Sequence, residues 1–256
     1  MSSTPNKKTP FYESRLALEQ YMFFHYGKAD EYLPWPGPSD ALEYPAMAVR
    51  TLLDKKRLPA KTRALDLGCA VGRTSFELSR HCDAVVGVDS SRSFIRAANH
   101  MKKFGKFRLT YTIEGNRKAE TKLTAPKGAR PDNIHFMAGD AMKLPESIGQ
   151  FDVVIMLNLI DRLPDPAQCL LRVMRIIRPG GQLIIASPYT WMEAYTPRHK
   201  WLGGTHSKNS LQALKDLLQP YCRLVKRAQI PFLIREHARK YQWSMAEGTC
   251  WIRKLK

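Results

Sequence analysis

The chain alternates short apolar runs with segments whose apolar positions recur at helical spacing. Apolar runs of strand length predict five β-strands, at Ala64–Leu67, Ala84–Val88, Ile134–Ala138, Phe151–Leu157 and Gln182–Ser187. Helical spacing predicts α-helices between them, at Arg73–Arg80, Ser91–Lys103 and Ala167–Ile177. Because strands alternate with helices, the pattern indicates a doubly wound α/β fold, a mostly parallel sheet covered by helices on both faces.

The pattern changes after Ser187. Ser210–Leu218 has the spacing of a helix that Pro220 stops, and two strand-like segments follow, Cys222–Ile230 and Gln242–Arg253. At the other end, an aromatic-rich helix at Phe11–Tyr26 precedes the first strand. We therefore divide the chain into an N-terminal tail with a helical lid, residues 1–60, and one main unit, residues 61–256, with insertions at 104–132 and 188–209.

Acidic residues and glycines cluster where the first two predicted strands end. Asp66, Gly68 and Gly72 lie between the first strand and its helix, where glycine backbone and free helical N–H groups approach a ligand closely. Asp89 ends the second strand 21 residues after Gly68, the separation that brings a carboxylate to a ribose diol. These positions predict a nucleoside-cofactor site at the carboxyl ends of parallel strands.

The glycine spacing excludes two common cofactor classes. A dinucleotide fold uses G-x-G-x-x-G, but the equivalent positions here are Gly68, Ala70 and Arg73. The Gly-Lys-Ser/Thr sequence of a P-loop is also absent. The segment resembles instead motif I of class I methyltransferases that depend on S-adenosylmethionine (SAM), with Ala70 in place of the central glycine.

Three further segments follow the order of that family. They are Gly139-Asp140-Ala141, the strand Phe151–Leu157 ending at Asn158, and the turn Arg178-Pro179-Gly180-Gly181. The resemblance implies SAM as cofactor, a seven-stranded sheet closed by the final antiparallel pair, and an adenine contact for Asp140. The cofactor-binding residues it implies are Asp66, Gly68, Cys69, Gly72, Asp89, Ser90, Asp140, Ala141, Asn158 and Tyr12.

A longer resemblance concerns the methyl acceptor. The Asn/Asp-Pro-Pro-Tyr/Phe motif of nucleobase amino-methylases is replaced by Asn158-Leu159-Ile160-Asp161, which disfavours an exocyclic amine. Nearly the whole chain resembles the 5-thiohistidine N-methyltransferase family, whose members include the C-terminal domain of ovothiol synthase. The resemblance includes Ser187-Pro188-Tyr189-Thr190-Trp191, and its most specific blocks are Thr196-Pro197-Arg198, Lys200-Trp201-Leu202-Gly203-Gly204 and Pro231 to Lys240.

This resemblance implies N-methylation of the imidazole ring of 5-thiohistidine, which gives ovothiol and S-adenosylhomocysteine (SAH). We see no sulfoxide synthase module before the methyltransferase segment, so we expect a separate synthase to be the functional partner. Binding a free amino acid requires a cation for its carboxylate and polar or aromatic groups for its ring. We select Asn158 and His237 as catalytic candidates, and as substrate-binding candidates Tyr26, His25, Tyr189, Trp191 and Arg235.

Composition limits the remaining possibilities. The five cysteines are widely spaced and form neither a disulfide framework nor a metal-binding pattern, so we expect no metal. The polar N-terminus and the lack of a long apolar run predict a cytoplasmic protein with no membrane association.

The formal net charge is +18, with Lys and Arg concentrated at 102–130 and 198–256. We expect a small-molecule substrate and no nucleic-acid partner, because these stretches contain no recognised RNA-binding module. An RNA methyltransferase, with RNA binding that weakens steeply with salt, stays an alternative, as does a SAM-binding protein without turnover.

Overall fold

A seven-stranded sheet forms the centre of the protein in a computed structural model that describes residues 11–255. Its strand order is β5-β2-β1-β6-β7-β9-β8, and β9 runs antiparallel to both of its neighbours. Residues 1–10 of the predicted N-terminal tail and residue 256 lie outside the described residues. The strands of this sheet are β1 (Arg63–Leu67), β2 (Ala84–Asp89), β5 (Ile134–Ala138), β6 (Phe151–Leu157), β7 (Ile177–Ser187), β8 (Cys222–His237) and β9 (Lys240–Arg253).

Seven helices surround the sheet in the described part of the chain. They are α1 (Arg15–Tyr26), α2 (Ala29–Tyr32), α3 (Tyr44–Leu52), α4 (Arg73–Ser79), α5 (Arg92–Phe104), α6 (Pro166–Ile176) and α7 (Ser210–Leu218). Side chains that accept backbone N–H groups start α1 at Ser14, α5 at Ser91, α6 at Asp165 and α7 at Asn209. The doubly wound, mostly parallel seven-stranded sheet predicted from the sequence is confirmed.

The insertion after α5 forms a separate two-stranded hairpin that the sequence analysis did not predict. Its strands are β3 (Lys106–Glu114) and β4 (Arg117–Thr124), paired antiparallel. The final hairpin is also longer than predicted, because β8 continues to His237 and β9 begins at Lys240. The first helix is shorter than predicted, since Ser14 caps it and a single 3-10 turn, Phe11–Glu13, precedes it.

The core lies on both faces of the sheet. The central strand β6 is the most enclosed, because it pairs with β1 and β7, and from Phe151 to Met156 every side chain is buried. Continuous burial on both faces explains why this strand has no polar–apolar alternation apart from Asp152. Asp152 accepts hydrogen bonds from the Arg63 backbone N–H at 2.8 Å and from Arg178 Nη1 at 2.7 Å.

Helix α1 is fixed against the carboxyl edge of the sheet by polar contacts. The Tyr26 hydroxyl donates to the Val71 carbonyl at 2.8 Å, and Arg73 Nη1 donates to the His25 carbonyl at 3.0 Å. Ser91 Oγ donates to the Tyr12 carbonyl at 2.8 Å. The N-terminal segment therefore covers the strand ends at which ligands bind in doubly wound folds. None of the helices between residues 11 and 255 has the length and apolar character to cross a bilayer.

Candidate active site

A cavity of about 380 Å³ opens at the carboxyl edge of the sheet, under the N-terminal segment. Its walls come from the ends of β1, β2, β5 and β6 together with α1 and the start of α3. Nine residues predicted for the site from the sequence line it. They are Tyr12, His25, Gly68, Cys69, Asp89, Ser90, Asp140, Ala141 and Asn158.

The glycine loop, residues 68–72, contributes Gly68, Cys69 and Ala70 to the cavity lining. The backbone N–H groups of Gly68 and Cys69 both donate to the Val88 carbonyl, at 2.8 and 3.0 Å, which ties the loop to the end of β2. Ala70 has a φ of +47°, in the left-handed region that L residues seldom adopt. Strain of this kind is retained where surrounding contacts enforce it, which occurs most often at functional sites.

A hydrogen bond to Asp89 holds Ala70 in this conformation. Its Oδ2 accepts the Ala70 N–H at 2.9 Å and its Oδ1 accepts the Ser91 N–H at 2.8 Å. Burial raises the pKa of the Asp89 carboxyl, although both backbone hydrogen bonds act in the opposite direction. The carboxylate therefore joins the glycine loop to the start of α5 and also presents charge to the cavity.

Asp66 and Gly72 support the site from outside the cavity lining. Asp66 is 1% exposed, and its Oδ2 accepts the Ser75 hydroxyl at 2.6 Å, so the carboxyl connects β1 to α4. Burial raises the pKa of Asp66 to about 7. Gly72, at φ +93°, starts α4 immediately after the loop. Both residues shape the loop from behind.

Asn158 lies at the end of β6 in a left-handed conformation, φ +50°, which asparagine tolerates better than most residues. Its backbone N–H donates to the Ala186 carbonyl at 2.8 Å. The Tyr44 hydroxyl donates to its Oδ1 at 2.8 Å, which fixes the orientation of the carboxamide. The amide nitrogen is thereby left as a hydrogen-bond donor for a ligand in the cavity.

Aromatic side chains of the N-terminal segment form much of the cavity wall. Tyr21, Phe24 and Tyr44 line it, and Tyr21 packs on Phe94 with ring centroids 4.9 Å apart. The electron-rich faces of such rings attract cations, and a sulfonium carries a positive charge. This wall is suited to a positively charged methyl donor.

His25 is buried among these rings. It is 7% exposed, and its Nδ1 has no hydrogen-bond partner among residues 11–255. Burial, together with the nearby Arg73 guanidinium, lowers the pKa of His25 to about 3. The imidazole is neutral near physiological pH and offers the cavity a hydrogen-bonding nitrogen without charge.

Two of the substrate-binding candidates, Tyr26 and Trp191, make contacts away from the cavity. Tyr26 points to the Val71 carbonyl, and its ring borders a second cavity, on the Lys28 side of α1. Trp191 donates through Nε1 to Ser210 Oγ at 3.0 Å and stacks on Trp201, so it anchors the segment 188–209 to α7. Neither residue lines the main cavity.

Three further candidates also lie outside the cavity lining. The Tyr189 hydroxyl bonds to Glu247 Oε2 at 3.2 Å. Arg235 is 5% exposed, and its Cζ lies 4.9 Å from the ring centroids of both Phe23 and Tyr111. His237 is at the turn of the final hairpin, where its Nδ1 accepts the N–H of Arg239. These three side chains do not line the cavity because strand and turn geometry directs them to other partners.

The lining also contains residues that the sequence analysis did not select. The most informative are Tyr21, Tyr44, Arg162 and Tyr195. Tyr21 lies four residues before His25 on α1, so helical spacing from His25 would have identified it. Arg162 follows Asn158 by four residues in the loop after β6, where only the three-dimensional structure shows its proximity to Tyr195, at 5.1 Å from the ring centroid.

The fold is that of the class I methyltransferases, and the cavity lies at the strand ends where this fold binds its ligands. Residues 58–248 match a family model described as a methyltransferase domain, and this match covers most of the chain. The chain therefore belongs to the methyltransferase domain family, whose methyl donor is SAM.

Two curated relatives are bacterial enzymes. Methyltransferase GfsG of Streptomyces halstedii is 28% identical over 183 residues, which cover 69% of this chain and 55% of the relative. The ubiquinone biosynthesis O-methyltransferase of Coxiella burnetii is 27% identical over 132 residues, 51% of this chain and 45% of the relative. The chain thus spans about half the length of the curated relatives it matches.

Among solved structures, the [4+2]-cyclase SpnF is similar in fold. It superposes with a TM-score of 0.56 at 16% sequence identity, over 93% of this chain and 91% of the cyclase. A likeness at this level of identity concerns the fold alone. Because that protein is named as a cyclase, the reaction of this chain has to be argued from its own site.

Proposed function

We propose that the protein transfers the methyl group of SAM to an imidazole nitrogen of 5-thiohistidine, forming ovothiol and SAH. The proposal is carried by the resemblance to 5-thiohistidine N-methyltransferases described above, especially in residues 196–198, 200–204 and 231–240. The chemical character of the cavity supports it. The N-terminal segment and residues 188–209 act as the lids of the acceptor side.

In this proposal the glycine loop and Asp89 hold the cofactor. Asp89 accepts the ribose hydroxyls, Asp140 faces the adenine, and the amide nitrogen of Asn158 orients the methionine portion or the acceptor. Methyl transfer is a displacement in line with the sulfur–methyl bond, so the protein contributes mainly alignment and exclusion of water. The buried aromatic wall provides a dry environment for this step.

The titratable groups of the cavity favour an acceptor that needs no strong base. His25, with its pKa lowered to about 3, is a weak base at neutral pH. Burial raises the pKa of the Tyr21 phenol well above its usual range, so this group stays protonated. An imidazole nitrogen next to a thiolate has an available lone pair and attacks without prior deprotonation. A phenol acceptor would have to lose its proton first.

A small-molecule O-methyltransferase is the second candidate, because one of the two relatives is named for an O-methylation. The two candidates make opposite predictions about the acceptor. The O-methyltransferase requires a hydroxyl substrate and a base, whereas the N-methyltransferase requires a thiolated imidazole. Turnover with defined acceptors distinguishes them.

The experiment is to incubate the purified protein with SAM and 5-thiohistidine and to analyse the product by mass spectrometry. We expect a product heavier by one methyl group, together with equimolar SAH. Histidine and a catechol are the comparison acceptors, and Asp89→Ala is the variant control for cofactor dependence. Intact SAH binding without methylation of 5-thiohistidine would reject the assignment, and methylation of the catechol alone would favour the second candidate.

A further inference from the structure

Arg162 contributes a positive charge to the lining of the cavity. Among the described lining residues it is the single Lys or Arg, and the carboxylates there are Asp89 and Asp140. Both acids already accept backbone N–H groups, Asp89 from Ala70 and Ser91, and Asp140 from Met142 at 2.8 Å. Arg162 therefore lies in a cavity whose two carboxylates already accept hydrogen bonds from the backbone.

The guanidinium is held from one end. Its Nη1 donates to the Asp161 carbonyl and to Asp161 Oδ2, both at 3.0 Å, and to the Thr190 carbonyl at 2.9 Å. Asp161 is 1% exposed, and its Oδ2 also accepts the Thr190 N–H at 3.0 Å. These contacts fix Nη1 between the loops that follow β6 and β7.

The guanidinium has five N–H groups, and its contacts with the backbone and carboxylates of residues 11–255 all leave from Nη1. The Tyr12 hydroxyl is a further hydrogen-bonding partner of the guanidinium. Three N–H groups, on Nε and Nη2, are therefore shared between Tyr12 and a ligand. The ring of Tyr195 lies 5.1 Å from Cζ. Nε and Nη2 together form the two-pronged donor that matches the two oxygens of a carboxylate.

The order of the strands indicates which ligand this donor meets. Along the carboxyl edge, Asp140 follows β5, Asp89 follows β2, the glycine loop follows β1, and Arg162 follows β6. The nucleoside portion of the cofactor belongs to the first two positions. Arg162 is beyond the glycine loop, next to Thr190 after β7, on the half of the edge that remains for the acceptor.

We propose that Arg162 binds the carboxylate of the methyl acceptor through Nε and Nη2, and that Asp161 positions it for this contact. The proposal rests on the proposed function, because it takes the acceptor to be a free amino acid. It assigns to Arg162 the role that the sequence analysis gave to Arg235, whose guanidinium is enclosed by Phe23 and Tyr111. A pre-oriented guanidinium selects acceptors that carry a carboxylate over those that do not.

The test compares two ligands, 5-thiohistidine and its decarboxylated analogue 5-thiohistamine, on three variants. Calorimetry measures binding of each ligand to the SAH complex, and KM is measured for both. We expect Arg162→Gln to weaken 5-thiohistidine binding about 10- to 100-fold, the scale of charge-assisted hydrogen bonds, and to leave 5-thiohistamine binding unchanged. Arg162→Lys keeps the charge without the two-pronged geometry and should lose a smaller factor. Arg175→Gln, at an exposed position on α6, is the matched control.

Three results would overturn the role of Arg162. Equal weakening of both ligands would mean that the residue shapes the cavity without contacting the carboxylate. A loss of SAH affinity in Arg162→Gln would place the contact on the cofactor's own carboxylate.

The proposed function is judged separately, by turnover of the wild-type protein. Binding of 5-thiohistidine with the expected carboxylate preference but without methylation would reject that function alone, and methylation of both ligands without any effect of Arg162→Gln would reject this inference alone.

Discussion

Replacing Gly72 by alanine tests how the glycine loop is built. Gly72 has a φ of +93°, and a Cβ added there would lie 2.6 Å from Cζ and 2.9 Å from Cε1 of Phe136, with the Cβ of Ala98 at 3.2 Å. The aromatic ring belongs to β5, so the new methyl group would push the start of α4 away from the sheet. Two separate penalties therefore act at this position, one from the backbone conformation and one from crowding.

The size of each penalty follows from general values for such changes. A left-handed backbone costs an L residue about 1–2 kcal/mol. Forcing an extra methyl group into a packed core costs about 1–3 kcal/mol. We therefore expect Gly72→Ala to lower the free energy of unfolding by about 2–5 kcal/mol.

Gly105 provides the matched control. It ends α5 with a φ of +65°, and a Cβ added there meets no heavy atom within 4 Å. Gly105→Ala should therefore show the backbone penalty alone, about 1–2 kcal/mol. The difference between the two variants isolates the crowding against Phe136.

Urea denaturation followed by circular dichroism measures both values, and an unchanged slope with urea shows that the two variants unfold like the wild type. Calorimetry with SAH then reports the site. Gly72→Ala should weaken SAH binding, because it displaces the loop and the start of α4, while Gly105→Ala should leave it unchanged. Equal losses of stability in the two variants would refute the packing argument, and unchanged SAH affinity in Gly72→Ala would separate the loop from the cofactor.

Three further predictions concern the polar groups of the site. Asp89→Ala removes a carboxylate that orders the loop and, in our proposal, binds the ribose, so SAH affinity measured by calorimetry should fall by about 2–4 kcal/mol. An unchanged affinity would mean that the ribose is held elsewhere. The Asp66 carboxyl keeps its proton to about pH 7 in the folded protein but loses it near pH 4 when unfolded, so its ionisation destabilises the native state. Relative to Asp66→Asn, the wild type should therefore lose unfolding free energy as pH rises from about 4 to about 7, and parallel pH profiles would contradict this. Tyr44→Phe releases the Asn158 carboxamide and should lower kcat with little change in SAH affinity, whereas a purely structural role would lower only the melting temperature.

The cofactor half of the site could be predicted from the sequence because it is local. Strand, glycine loop and helix follow one another within residues 63–79, and the partner acid Asp89 ends the adjacent strand. Gly68 and Gly72 have positive φ angles, which glycine adopts readily, and Asp89 accepts the backbone N–H groups that flank it. Such requirements are visible in a single sequence.

The acceptor half depends on which face of a helix or strand a residue occupies. On α1, His25 lines the main cavity, whereas Tyr26, one residue later, borders the second cavity. Both are buried and aromatic, so composition does not separate them. Helical geometry rotates adjacent residues by about 100°, and only the docking of α1 on the glycine loop decides which of them meets the ligand.

Arg235 shows that the same limit applies on a strand. Here the alternation of side chains along the strand could have corrected the prediction. The apolar run Pro231–Ile234 that precedes it indicates burial, and Arg235 is 5% exposed. Side chains alternate between the two faces of a strand, so Ile234 and Arg235 point in opposite directions. Ile234 lines the main cavity, while Leu233, on the face of Arg235, borders the second cavity. Arg235 therefore stacks between aromatic rings, where it closes α1 onto β3. In our proposal the counter-charge for the acceptor comes instead from Arg162, in the loop after β6, where strand alternation does not apply.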